Sequence, residues 1–168
     1  MEAVVYTSNT GSTEHYAKLL GQELSVSVYS TEEAGNKLPT GTEIIYLGWI
    51  MAGKIQRFGL ARKKYKICAV CAVGMGQTGT QRKEIREKNN IPGKIPVFTL
   101  QGNFSVERLH GMYKMMMNIM VKTAGKALEK KTDRTPEEED MLDMMLHGGE
   151  RVRIQNLQDV ISWYNSKR

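Results

Sequence analysis

The chain has 168 residues, of which 40% are apolar and 25% are charged, as expected for one soluble globular domain. No apolar run approaches the roughly 20 residues that a membrane-spanning helix needs, and the first predicted strand leaves no room for a secretory signal. We therefore expect a cytoplasmic protein. The net charge of +6 favours acidic partners, whereas an aromatic content of 7% and the lack of a nucleic-acid-binding motif argue against nucleic acid.

Strand and helix patterns alternate along the first two thirds of the chain. Five apolar, β-rich runs predict strands over residues 3–7, 26–29, 43–48, 66–73 and 95–100. Helices are predicted over residues 13–24, 55–64 and 81–88. This alternation predicts an α/β fold, in which helical crossovers join parallel strands and cover both faces of the sheet.

The last third of the chain is predicted to be helical. We interpret residues 105–168 as an extension of a single domain that spans residues 1–168. In the first predicted helix, Ser105 is the N-cap and Glu107 is an acidic residue in the first turn. The apolar residues at helical spacing are Leu109, Met112, Met116 and Met120. In the second predicted helix, Thr135 and Glu138 form a capping box, Pro136 is the first helical residue, and Gly148 ends the helix. A final helix is predicted over residues 157–164, and the charged segment 126–134 is predicted to be a connector.

The turn after the first predicted strand is rich in hydroxyl groups. It consists of Ser8, Asn9, Thr10, Gly11, Ser12 and Thr13, and a helical pattern follows at once. Backbone N–H groups at a helix start, together with the positive end of the helix dipole, bind anions. The turn contains no Lys or Arg and matches neither the triphosphate-binding nor the dinucleotide-binding glycine motif. It therefore favours a single terminal phosphate.

The pattern Ser8-x-Thr10-Gly11-x-Thr13 resembles the phosphate loop of the flavodoxins. The resemblance implies a flavodoxin-like, doubly wound sheet of five parallel strands in the order 2-1-3-4-5, with FMN at the carboxyl ends of strands one and three. It also implies that the loops over residues 48–54 and 74–79 lie along the flavin ring. The candidate ring-binding residues are Trp49, Ile50, Met51, Ala52, Gly53, Gly74, Met75 and Gly76.

Residues 98–104 and the methionine-rich helix after them resemble the flavodoxin-domain branch that includes menaquinone-dependent protoporphyrinogen oxidase. The sequence also departs from typical flavodoxins. The loop over residues 74–79 lacks the aromatic residue that usually covers the ring, and neither ring loop carries a carboxylate. Negative charge near the ring lowers the flavin potential. With Lys54 and Arg57 nearby instead, we expect a less reducing second electron than in an acidic flavodoxin.

Two groups of sulfur-containing residues have alternative interpretations. Cys68 and Cys71 have the spacing of a redox pair, but they fall within a predicted buried strand, and we interpret both as core residues. Eight of the eleven methionines lie between Met112 and Met145. We interpret this stripe as core packing. The alternative is a surface for a partner, a membrane or a hydrophobic substrate.

Together these features predict an FMN-binding electron-transfer flavoprotein that exchanges electrons with a partner oxidoreductase. Basic clusters over residues 62–66, 82–88 and 126–134 favour a partner with an acidic docking face. The three candidate loops hold neither His nor a carboxylate, so they offer no general acid or base, and we predict no catalytic residue and no metal site. Two alternatives stay open: a flavin-dependent oxidase or reductase of the protoporphyrinogen oxidase or quinone reductase type, and a flavin-free interaction domain.

Overall fold

A parallel β-sheet forms the centre of the molecule. The computed structural model describes residues 1–104 and 111–167, with only the backbone of Tyr113. Within these residues the strands are β1 (Ala3–Thr7), β2 (Ser27–Ser30), β3 (Glu43–Met51), β4 (Lys54–Ile55), β5 (Lys66–Gly74) and β6 (Val97–Gln101). The hydrogen-bonded order β2-β1-β3-β5-β6 is parallel throughout, and β4 pairs antiparallel with β3. The predicted α/β class and the order 2-1-3-4-5 of the five main strands are confirmed.

Helices lie on both faces of this sheet. Within the described residues they are α1 (Ser12–Leu24), α2 (Thr31–Lys37), α3 (Phe58–Lys64), α4 (Arg82–Lys88), α5 (Gly111–Met120), α6 (Lys126–Lys130), α7 (Pro136–His147) and α8 (Gln158–Asn165). A π-helical turn over Val121–Gly125 joins α5 to α6, and a 3₁₀ turn over Ile154–Leu157 precedes α8. Among these helices, none combines the length and the hydropathy that crossing a membrane requires.

Alternating side chains of the strands build two cores, because adjacent residues of a strand point to opposite faces. On one face, Val5 and Tyr46 pack with Phe58 of α3 and Ile85 of α4. The other core joins strand residues to α1 and α8, and its members include Val4, Leu47, Tyr16, Leu20, Val160 and Tyr164. The C-terminal helix therefore shares a core with α1.

Capping residues define where two of the helices begin. The helix predicted from Pro136 is confirmed: the Glu138 N–H donates to Thr135 Oγ1 at 3.3 Å, and the Thr135 N–H donates to Glu138 Oε2 at 2.9 Å. The same box starts α2, which the sequence analysis did not predict. There the Glu33 N–H donates to Ser30 Oγ at 3.2 Å, and the Ser30 N–H donates to Glu33 Oε2 at 2.9 Å.

Other predicted boundaries differ from the structure. The helix predicted from residue 55 begins at Phe58, because Lys54 and Ile55 form strand β4. The prediction of a connector over residues 126–134 is wrong in its first half. The π-helical turn continues the path of α5 directly into α6. The predicted N-cap Ser105, together with Glu107 and Leu109, lies outside the described residues.

The two cysteines occupy different environments. Cys71 is fully buried in the core shared by α1 and α8, and burial raises the pKa of its thiol. Cys68 is the extra residue of a bulge, because Ile44 pairs with Ile67 and Ile45 pairs with Ala69. It is only partly buried, so its interpretation as a core residue is wrong. Burial raises the pKa of the Cys68 thiol as well, which disfavours a reactive thiolate.

Tyr16 links α1 to two distant segments of the chain. Its ring is fully buried, its hydroxyl donates to the Gln101 carbonyl at 2.6 Å, and it accepts from Asn156 Nδ2 at 2.6 Å. The Tyr16→Phe variant leaves the Gln101 carbonyl without this donor. We expect the free energy of unfolding to fall by about 1–2 kcal/mol, measured by urea denaturation.

Tyr65→Phe is the matched control for this variant. The Tyr65 hydroxyl is buried without a hydrogen-bond partner in the described part of the chain. Its removal is therefore expected to leave the unfolding free energy unchanged or slightly higher. Equal losses in the two variants would contradict the role assigned to the Tyr16 hydroxyl.

Candidate functional site

A cleft of about 420 Å³ lies at the carboxyl ends of β1, β3, β5 and β6. Open parallel sheets bind ligands at this edge where the strand order reverses, which here falls between β1 and β3. The predicted site residues that line the cleft are Asn9, Thr10, Ser12, Thr13, Trp49, Ile50, Met51, Ala52, Gly74, Met75 and Gly76. The walls do not include Ser8, Gly11 and Gly53, although these residues belong to the same three loops.

The turn between β1 and α1 leaves the start of the helix open. Gly11 occupies the N-cap position with φ of 97°, a conformation that favours glycine, and it has no side chain to cap the helix. The first helical hydrogen bond runs from the His15 N–H to the Gly11 carbonyl at 2.9 Å, so the N–H groups of residues 12–14 precede it. Ser8 Oγ accepts the Gly11 N–H at 3.2 Å. Ser8 thus closes the turn and does not line the cleft.

Ser12 connects this turn with the end of β6. Its Oγ accepts the Asn103 N–H at 3.0 Å, and its own hydroxyl proton can still be donated. A Cβ atom at Gly102 would lie 3.0 Å from Val73 Cγ1 and 3.3 Å from Ser12 Cβ. Glycine therefore lets the chain pass close to the turn. Gly102 and Asn103 line the cleft, and the sequence analysis did not assign them to the site.

The second predicted loop is a β-hairpin, which corrects its interpretation as a loop that starts at residue 48. β3 continues to Met51, where it pairs with Lys54 of β4. The two-residue turn consists of Ala52 with φ of 49° and Gly53 with φ of 78°. Positive φ at both positions is typical of a type I′ turn, whose twist matches that of the strands. Gly53 therefore serves the turn itself.

Asn89, at the end of α4, holds this hairpin in place. Its Oδ1 accepts the Ile55 N–H at 2.8 Å, and its Nδ2 donates to the Gly53 carbonyl at 2.8 Å. Nδ2 also donates to the Ile85 carbonyl within α4 at 2.8 Å. One amide side chain thus fixes the hairpin that carries Trp49 and Ile50 at the edge of the cleft.

The third predicted loop is bound to β6 along its length. The Gly79 N–H donates to the Thr99 carbonyl at 3.0 Å, Thr99 Oγ1 donates to the Thr80 carbonyl at 2.6 Å, and the Gln101 N–H donates to Thr78 Oγ1 at 3.1 Å. A Cβ atom at Gly74 would lie 3.0 Å from Ile50 Cδ1, so the loop also packs closely against the hairpin. Further lining residues that sequence reasoning missed here are Ala72, Val73, Gln77, Thr80, Gln81, Thr99, Leu100 and Phe104.

No ionisable side chain lines the cleft within the described residues. Lys54 and Arg57, which we expected near the ring in a neutral or positive setting, do not line the cleft. Lys54 Nζ donates to the Lys88 carbonyl, and Arg57 pairs with Glu32. Both cations are engaged with groups outside the cleft walls. The two ring loops carry no carboxylate, and the rest of the described lining of the cleft carries none either.

Methionines from two helices complete the lining. Met116, Met117 and Met120 of α5 and Met141 of α7 face the cleft. The interpretation of the methionine stripe as core packing is wrong for α5, where Met112 is 66% exposed and Met115 is 59% exposed. It is correct for Met144 and Met145, which are buried. The sequence shows that the α5 methionines have helical spacing, but it does not show that three of them face a cleft.

Comparison with known proteins identifies the family. A family model described as a flavodoxin domain matches residues 3–133, which is most of the chain. The protein therefore belongs to the flavodoxin-domain family, and the predicted resemblance to that family is confirmed. Membership implies a flavin-binding fold. No curated protein and no solved structure gives a significant match.

The hairpin clamp can be tested by amide hydrogen exchange. In Asn89→Ala, Ile55 loses the acceptor of its N–H, and we expect the exchange protection of that amide to fall by at least about tenfold. Asn89→Asp is the comparison variant: it keeps an acceptor for Ile55 but replaces the Nδ2 donor by a carboxylate oxygen that faces the Gly53 and Ile85 carbonyls, so we expect a smaller loss of Ile55 protection than in Asn89→Ala. Unchanged Ile55 protection in Asn89→Ala would show that the side chain does not hold the hairpin.

Proposed function

We propose that this protein binds FMN non-covalently in the cleft and carries electrons between protein partners. The observation that supports this function best is the pairing of an uncapped helix start with an uncharged, largely apolar cleft. The first suits a phosphate group and the second suits a flat aromatic ring. Both features lie at the edge of the sheet where the strand order reverses.

The turn over residues 8–13 fits the phosphate end of FMN. The backbone N–H groups at the start of α1 point their positive dipole end toward the cleft, and Thr10, Ser12 and Thr13 add hydroxyl groups to its wall. The nearby Glu14 carboxylate is paired with Lys18 Nζ at 2.5 Å, which offsets its repulsion of an anion. A dianion is thus stabilised by amides and alcohols, without a cationic side chain from the described lining of the cleft.

The hairpin and the loop after β5 fit the ring end. Trp49, Ile50 and Met51 on one element and Gly74 to Gly76 on the other give mostly apolar walls with close backbone approach. Bound FMN supplies one-electron and two-electron chemistry. The described wall contains no side chain that transfers protons at neutral pH, which favours an electron carrier over an enzyme that needs a general acid or base.

Exposed lysines beside the cleft support an acidic redox partner. Lys114, Lys122, Lys126 and Lys130 are exposed along the helical path from α5 to α6, which begins beside the cleft because Met116, Met117 and Met120 of α5 line it. The basic segment over residues 62–66, by contrast, lies at the start of β5 and thus at the opposite end of the sheet. We therefore propose that the partner docks at the lysines near the cleft, with an affinity that falls as salt rises.

A second candidate function is an oxidase or reductase that acts on a hydrophobic substrate such as a quinone or a porphyrinogen. The exposure of Met112, Met115 and Ile119 near the cleft favours it, because these side chains form an apolar surface. Substrate turnover by the purified protein alone would support this candidate. Cytochrome reduction that requires an added reductase would support the carrier.

A charge placed in the phosphate turn tests FMN binding. We expect Thr10→Asp to weaken FMN binding by at least about tenfold, or about 1.4 kcal/mol, because the carboxylate repels the phosphate. Riboflavin, which lacks the phosphate, should bind the variant and the wild type equally. Both affinities are measured by quenching of flavin fluorescence.

Ser27→Asp is the control, since Ser27 is exposed on β2 and does not line the cleft. It should bind FMN as the wild type does. Equal FMN affinities for Thr10→Asp and the wild type would place the phosphate elsewhere. A wild-type protein that binds neither flavin would support the flavin-free interaction domain instead.

Because no ionisable side chain lines the described cleft, we still expect the second electron to be less reducing than in acidic flavodoxins. Gln77→Glu adds one carboxylate to the wall with almost no change in shape. We expect the potential of the second electron to fall, because added negative charge disfavours the reduced, anionic flavin. An anaerobic redox titration measures this, with the exposed Gln22→Glu as the control. An equal or higher potential in Gln77→Glu would contradict the electrostatic argument.

A further inference from the structure

We propose that Met116, Met117, Met120 and Met141 form a methionine cover over the exposed face of the flavin ring. This inference rests on the proposed function, because it assigns the residues that cover the FMN ring. The loop over residues 74–79, together with Thr80, carries no aromatic side chain, so any side chain that covers the ring belongs to another element; Trp49 and Phe104 also line the cleft. Two helices outside the three ligand loops supply side chains to the same cleft.

The apolar residues of α5 form one broad face, and its two edges differ in exposure. At 100° per residue, Met116, Met117 and Met120 share one side of the helix, and all three line the cleft. Met112, Met115 and Ile119 lie on the adjoining part of this face, with Met112 one turn before Met116, and are 66%, 59% and 54% exposed. A helix that simply completed the core would bury one stripe against the sheet. Here Met116, Met117 and Met120 line the cleft, although Met116 remains 44% exposed.

The second helix, α7, is anchored directly to the site. Met141 reaches the cleft while its neighbours Leu142 and Met144 are buried. Gln101, the last residue of β6, donates from Nε2 to the Asp140 carboxylate. Arg151 Nη2 lies 3.4 Å from Asp140 Oδ1, so the carboxylate preceding Met141 has two partners. These contacts fix Met141 relative to the strand end that borders the cleft.

Methionine suits the role of a ring cover for chemical reasons. Its thioether is polarisable and makes favourable contacts with aromatic rings, and its unbranched side chain adapts to a flat surface. It adds no charge, in keeping with the uncharged wall. A surface that only binds a partner would account for Met112 and Met115, but not for the methionines that face inward.

The first test uses the unaltered protein. Methionine methyl groups labelled with ¹³C are observed by NMR while FMN is added, and single Met→Leu variants assign the signals. Ring currents should shift the methyl signals of Met117 and Met120, whereas those of Met112 and Met115 should stay in place. Shifts confined to Met112 and Met115, or no methionine shift while FMN binds, would overturn the cover.

The second test removes the cover. In the Met117→Ala/Met120→Ala variant we expect FMN and riboflavin to bind at least about fivefold more weakly, and iodide to quench the bound flavin more readily. Met117→Leu/Met120→Leu keeps an apolar cover and should stay within about twofold of the wild type. Met112→Ala/Met115→Ala, which changes two exposed residues that do not line the cleft, should match the wild type.

The outcomes separate this inference from the function on which it rests. A wild-type protein that binds no flavin overturns both. A wild-type protein that binds FMN, with unchanged affinity and unchanged quenching in the Met117→Ala/Met120→Ala variant, overturns only the cover. An equal loss of FMN and riboflavin affinity supports the cover, because the phosphate turn is untouched and Thr10→Asp is expected to weaken FMN alone.

Discussion

The site depends on the unsatisfied N–H groups at the start of α1. A glycine stands at the N-cap, and no described N-cap side chain accepts from these groups, as is also the case in α3 and α4, while Ser30 and Thr135 cap α2 and α7 through complete capping boxes. An uncapped helix start is costly unless water or a ligand satisfies it. The rest of the architecture positions this helix start: β1 is paired on both sides, and Tyr16 and Ser12 attach α1 to the end of β6.

Local sequence signals predicted the elements that depend on local chemistry. The apolar run of β1, the glycine turn and the capping box of α7 each have one strong physical cause, and each is present in the structure. The strand order came from the family resemblance, and the sheet confirms it. The three candidate loops converge on one cleft because parallel strands end at the same edge of the sheet.

The features that the sequence did not reveal depend on contacts between distant residues. Ala52 adopts a positive φ, which Asn or Gly usually adopts in such a turn, so the sequence contains no typical hairpin signature. Asn89, whose side chain binds the hairpin, lies 36 residues from Gly53 along the chain. Cys68 is displaced by a bulge that depends on the register between β3 and β5. Lys54 and Arg57 bind the Lys88 carbonyl and Glu32, which do not line the cleft. The methionines of α5 and α7 face a cleft that forms only when distant segments of the chain come together.

We propose that amides and hydroxyl groups of the described turn, which carries no Lys or Arg, bind the dianionic phosphate of FMN at the start of α1. The most direct measurement is ³¹P NMR of the FMN complex as the pH is lowered through about 6, where a free phosphate monoester takes up its second proton. Because a helix start favours the doubly charged form, we expect the signal of bound FMN to keep the dianion shift across this range. A bound signal that titrates as free FMN does would contradict it.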